Sequence, residues 1–185
     1  IVSDISILNH IRLGDNCSMR YTFAKCPNIT IVKNVNIPAT TTSCEGMLSE
    51  NNNLVSVSGL VVNSQNASGL LKNCSKLTSL EATVNSKIVD SLVEGCSKLT
   101  TLEKLTLGNP GSIKALIKNC ALLTLLDLSK SNLSNCNAMD NLCYGATSLT
   151  ELKMTGTVGS STCTYSDFIN GAKAGLMINL ANSII

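Results

Sequence analysis

The residues best suited to chemistry in this chain are its nine cysteines and its single histidine. A Cys/His or Ser/His nucleophile pair needs an imidazole as its base, so His10 would have to serve. His10 lies in an apolar stretch near the start, where a surface polar residue is the expected reading. The cysteines stand singly, without the C-x-x-C pairs that a zinc site uses. Gly108-Asn109-Pro110-Gly111 reads as a turn and not as a phosphate-binding loop. Carboxylates supply one cluster: Glu81, Asp127 and, in one of two strand registers, Glu103 line up on the outward side of neighbouring strands. Paired acids do acid/base chemistry when their surroundings separate their pKa values, whereas exposed acids on a sheet form a solvated face. The expectation is therefore no enzyme, no metal and no cofactor.

What would position these residues is a repeat. LVEGCSKLTTLEKLTL (Leu92 to Leu107) has close copies in LLKNCSKLTSLEA (Leu70 to Ala82), LIKNCALLTLLDL (Leu116 to Leu128) and LCYGATSLTELKM (Leu142 to Met154). With the slot of Cys96 as anchor, the equivalent residues are Cys26, Asn51, Cys74, Cys120, Ala146 and Ala172, spaced by 22 to 26 residues. That period belongs to solenoids. Seven, four and three residues before each anchor the positions are mostly apolar, a spacing that predicts one inward face of a short helix. The residue before the anchor is Asn73, Gly95, Asn119, Gly145 or Gly171 in the later copies. Both types accept the left-handed conformation that closes a helix.

After the anchor the period changes. Leu77/Leu80/Ala82, Leu123/Leu126/Leu128 and Leu149/Leu152/Met154 end in alternation and predict a short strand. In one copy the strand is either Thr101 to Glu103 or Lys104 to Leu107, and the second register is favoured. Ile5 to Leu13 reads as the strand half of an incomplete repeat, and Leu176 to Ile185 as a last strand. The predicted fold is α/β: a leucine-rich-repeat-like solenoid of about seven repeats, each a short helix then a short strand, the strands stacked in a parallel sheet. Residues 1–185 form one repeat domain, clearest over 44–154 and expected to be a piece of a longer chain.

Cys26, Cys74, Cys96 and Cys120 share one slot, as a reused small hydrophobe does, so this column is expected to be reduced and buried. Cys17, Cys136 and Cys163 fall in inter-repeat turns and are the candidates for any bridge. A formal net charge of +2, with scattered Lys and Arg, gives no basic stripe for nucleic acid. No apolar run reaches the roughly 20 residues that cross a bilayer. Asn-x-Ser/Thr triplets at Asn16, Asn28, Asn66, Asn73 and Asn132 fit the turn chemistry of a solenoid, and glycosylation would matter only in a eukaryotic secretory setting.

The strand face is polar and rich in hydroxyls. Thr30, Thr78, Thr100, Thr124 and Thr150 recur there, and the outward positions Ser56, Ser58, Ser79, Glu81, Asp127, Glu151 and Lys153 are the candidate binding residues. Tight interfaces centre on Trp, Tyr and Arg; this chain has no Trp, and its aromatics all fall in the expected helices. Binding to a protein or glycan surface is thus expected to be weak or multivalent. The apolar ends add possible end-to-end contacts.

MDNLCYGATSLTELKM (Met139 to Met154), LDLSKSNLSN (Leu126 to Asn135) and the NCSKLTSL and GCSKLTTL segments resemble the BspA-like leucine-rich repeats. Asn51, Ala146 and Ala172 stand where that family carries Cys, and its phenylalanine before the anchor is matched only by Phe23 and Phe168. The resemblance implies a non-catalytic module of a bacterial cell-surface protein, used for adhesion or recognition of a host or protein. Similar repeats in phage proteins imply an alternative, a structural or receptor-binding segment of a virion fibre.

Overall fold

The computed structural model describes residues 5–10 and 14–179. Alternating apolar and polar residues after each anchor form strands, because only the extended backbone sends every second side chain inward. In chain order these are β1 (Cys17–Ser18), β2 (Ile31–Lys33), β3 (Asn36–Ile37), β4 (Thr41–Ser43), β5 (Ser56–Val62), β6 (Ser79–Val84), β7 (Thr101–Leu102), β8 (Lys104–Leu107), β9 (Leu125–Asp127), β10 (Glu151–Lys153) and β11 (Met177–Asn179). All strand pairs are parallel, and successive coils pair side by side, as in a solenoid of about seven turns. Ile31, Ser56 and Ser79 stand in one row, and Thr101, Leu125, Glu151 and Met177 in another. A second ladder runs through Ser43, Asn66, Ile88, Ser112, Ala138 and Thr164, eight residues before each anchor.

The strand face is divided between two sheets, one built around β5, β6 and β8 and the other around β9 and β10. Coil length explains the break. Cys74 to Cys96 is the shortest repeat, at 22 residues. Within β6 a single residue separates Leu80 from Ala82, while their partners Val57 and Leu60 in β5 are separated by two, so β5 must bulge to stay in register. The following coil bends at Glu103, so β7 joins β9 and β8 joins β6. Both registers weighed for this copy are therefore realised, each in a different sheet.

The expected helices are absent. The segments preceding the anchors are runs of tight turns, and the reason lies in the backbone. Asn73, Gly95, Asn119, Gly145 and Gly171 do take the left-handed conformation, as do Lys25 and Glu50 in the same slot, but so do the residues four positions earlier: Tyr21, Gly46, Gly69, Ser91, Ala115, Asn141 and Asp167. A left-handed residue at every fourth place reverses the helical rise and keeps the chain flat within its coil. Alternate N–H groups close local turns, such as Leu70 to Ala67 O (3.2 Å) and Lys72 to Gly69 O (3.0 Å). The others donate to the next coil: Ala67 to Ile88 O, Gly69 to Asp90 O, Leu71 to Leu92 O and Asn73 to Glu94 O, all at 2.7 to 2.9 Å. Every cross-coil bond of these turn segments points the same way, from one coil to its successor. The i, i+3, i+4 apolar spacing is thus met by consecutive turns instead of a helix.

One continuous apolar core lies between the strands and the turns. Leu80, Leu102, Leu126 and Leu152 form one buried file, and Cys74, Cys96 and Cys120 form another. Each of these thiols donates to the carbonyl three residues before the preceding anchor: Cys74 to Leu48 O (3.2 Å), Cys96 to Leu71 O (3.1 Å) and Cys120 to Val93 O (3.1 Å). Asn51 fills the same slot. Its amide donates to Leu48 O (2.9 Å) and Phe23 O (2.8 Å), and its oxygen accepts the Cys26 N–H (2.7 Å). A buried amide is tolerated because all these groups are paired.

At the start, the expected strand is instead a short 3₁₀ turn over Ser6–Asn9, closed by Leu8 N–H on Ile5 O. Asn9 reaches across to accept the Asn36 N–H at 3.0 Å, so this segment caps β3 through its side chain. At the other end β11 is a strand, as expected, while 180–185 and 11–13 lie outside the described residues.

Candidate functional site

The outward strand face begins at the threonine two positions before the inward leucine. Thr78, Thr124 and Thr150 each spend two donors on one carbonyl of the preceding coil. Their N–H groups bond Val55 O, Thr100 O and Thr124 O at 2.8 to 2.9 Å. Their hydroxyls bond the same oxygens at 3.1, 3.0 and 2.9 Å. With the hydroxyl proton committed, each exposed oxygen offers only its lone pairs outward. Thr124 and Thr150 stand in adjacent coils, about 4.8 Å apart, whereas Thr78 lies two coils before Thr124 with Thr100 between them. Val55, 44% exposed, interrupts the column.

The predicted binding residues fall into two groups. Ser56 and Ser79 are register neighbours, Ser58 stands beside Lys33, and Glu81 is paired with Lys104, their charged groups 3.6 Å apart. On the other sheet Asp127 and Lys153 are register neighbours, and Lys153 lies 3.6 Å from Glu151. Asp127 also accepts the Ser129 N–H at 2.9 Å, which ties it to the turn after its strand. The acidic line expected from Glu81 through Glu103 to Asp127 is not formed, because the bend at Glu103 takes the third coil out of line.

That bend has a local product. Where β6 is a residue short and its neighbours are not, the outer face dips into an open depression of about 400 Å³ lined by Glu81, Thr83, Glu103, Lys104, Thr106 and Lys130. Two acids and two lysines leave it balanced in charge. It can form hydrogen bonds and ion pairs. Among the described residues, no group of three or more His, Cys, Asp and Glu is placed to hold a metal ion. His10 is exposed beside the first turn.

No family model, no curated protein and no solved structure matches the chain.

Sequence reasoning missed Thr83, Thr106 and Lys130 in the depression, since which coil is short relative to its neighbours emerges only once the strands are paired. It also missed a column on the turn face, two residues before the anchors. There Lys72 and Glu94 pair at 2.9 Å, and Lys118 sits 5.3 Å above the Tyr144 ring. Partial burial pushes the Glu94 carboxyl up, but hydrogen bonds from Lys72 and Ser91 and the charges of Lys72 and Lys118 outweigh it and hold the pKa below the usual range. The alternation Lys, Glu, Lys, Tyr at one slot was the available signal. No helix is long and apolar enough to cross a membrane among the described residues.

The fully buried thiols are poor nucleophiles by placement. Burial pushes Cys74, Cys120 and Cys143 up to about 12, and Cys44 and Cys136 up to about 11. Burial also holds Cys96 well above the ordinary value. The cysteine file is a packing device.

Proposed function

We propose that this chain is a non-catalytic recognition module of a bacterial cell-surface protein, of the leucine-rich-repeat kind that BspA-like sequences represent, and that it attaches to protein or glycan surfaces by weak repeated contacts. The observation that supports this reading is the threonine column. The exposed oxygens of Thr78, Thr124 and Thr150 are held as acceptors at whole-coil intervals, flanked by Ser56, Ser79 and the charged pairs of the same face. A ligand that repeats its own donors at a similar interval, such as a polysaccharide or a bundled matrix protein, gains from every coil it crosses. Large aromatic anchors are scarce on this face, which suits avidity over single-site affinity.

The test is display density. Beads carrying many copies of the chain should hold a glycan or matrix-protein layer, while the soluble monomer competes only weakly. Thr124→Val with Thr150→Val should reduce retention several-fold without unfolding the chain. Equal retention by the double variant, or tight binding by the monomer, would overturn the proposal. A spacer role, for instance in a virion fibre, draws support from the ladder that runs unbroken from Ser43 to Thr164; such a chain would show no density-dependent retention on any layer.

A further inference from the structure

Of the three cysteines in inter-repeat turns, two are neighbours across adjacent coils. Cys136 is fully buried, and Cys163 is half-buried and packed against the same core. The backbone brings them together at one carbonyl. Leu133 O accepts the Cys136 N–H and the Gly159 N–H, both at 3.0 Å. Cys163 lies directly over Gly159, since a Cβ placed there would meet the Cys163 Cβ at 3.0 Å and Sγ at 3.2 Å. Cys136 O in turn accepts the Ser160 N–H at 2.7 Å, and Ser160 O accepts the Cys163 N–H at 3.0 Å.

Register gives the separation. Ala138 is paired with Thr164, and the Thr164 N–H bonds Asn137 O at 3.0 Å, so Cys163 stands opposite Asn137 and one step from Cys136. One strand spacing and one residue step combine to a Cα separation of about 6 Å, inside the range that a disulfide spans. Cys17 has no such neighbour, because its register partner is Thr41.

We propose that Cys136 and Cys163 are a disulfide-forming pair that stitches two neighbouring coils together under oxidising conditions. The half-exposed Cys163 reacts first. Its thiolate attacks a small disulfide such as glutathione disulfide, forms a mixed disulfide and expels one thiolate. Cys136 then loses its proton, attacks Cys163 Sγ and expels the second thiolate. Two electrons pass from the two protein sulfurs to the small disulfide, whose halves leave as thiols carrying the two protons. Gly159 leaves room for this, since a Cβ there would crowd the Tyr165 hydroxyl at 2.8 Å and Cys163 Sγ at 3.2 Å.

The chain is incubated with glutathione disulfide, unfolded, alkylated and measured by intact mass and peptide mapping. Seven of the nine cysteines should be alkylated, with one cross-linked peptide pair carrying Cys136 and Cys163. The oxidised form should melt several degrees higher than the reduced form. Cys163→Ser should leave all its remaining cysteines alkylated, and Cys17→Ser should still lose two. Nine alkylated cysteines, a lasting glutathione adduct on Cys163 or a bridge between any other pair would overturn the proposal.

Discussion

At the residue scale, the coils interlock through asparagine and glycine in one slot. Asn73 Oδ1 lies where a Gly95 Cβ would stand, and Asn119 does the same to Gly145. Gly95 is also left-handed, at φ 75°. Gly95→Ala should therefore cost about 1 to 3 kcal/mol in urea unfolding. Asn73→Gly in the same chain should recover part of that loss, because it removes the clash but not the strain. Thr41 carries the opposite lesson. Its side chain is fully buried and its Oγ1 has no hydrogen-bond partner. Thr41→Val keeps the shape and deletes the orphan, so it should raise stability by about 1 kcal/mol; a loss in thermal unfolding would show that the hydroxyl is satisfied after all.

At the element scale, the turn segments separate two backbones that share one sequence pattern. Ala115 sits in the middle of such a segment at φ 52°. In a helix, Ala115→Gly would destabilise by about 1 kcal/mol. In the left-handed conformation glycine relieves strain of about 1 to 2 kcal/mol, so the change should be neutral or stabilising, read by denaturant midpoint. The strands were legible because Leu80, Leu102, Leu126 and Leu152 alternate with polar neighbours, and alternation has one physical solution. The turns were misread because Leu70, Leu71 and Cys74 face inward in either backbone. Gly46, Gly69, Asn141 and Asp167, residue types that tolerate positive φ, stood mid-segment as the signal against a helix. The polar strand face was legible as a surface. Its division in two was not, since it depends on comparing the length of one coil with the next.

At the scale of the whole molecule, stability is a sum over stacked coils, and the buried thiols give that sum a pH dependence. The folded pKa values of Cys44, Cys74, Cys120, Cys136 and Cys143, about 11 to 12, lie above the ordinary 9.0. The stability they contribute is complete below pH 9. It falls as pH rises toward 11 to 12, because the unfolded chain sheds protons that the folded chain keeps. Each thiol adds a slope of about 1.4 kcal/mol per pH unit. Urea midpoints should thus drop steeply between pH 9 and 10, and Cys120→Ala should flatten that drop by one thiol's share. A further whole-molecule property follows from the one-way bonds of the turn segments. Their peptide groups add head to tail along the stack and form a macrodipole beside the strands, whose bonds run both ways and cancel. Its positive sense runs toward the coil of Asp167 and its negative sense toward the coil of Arg20 and Lys25. Asp167 on the one side and Arg20 and Lys25 on the other have the sign that lowers the energy of such an array, so a surface made of turns carries the long-range polarity that other proteins obtain from a helix.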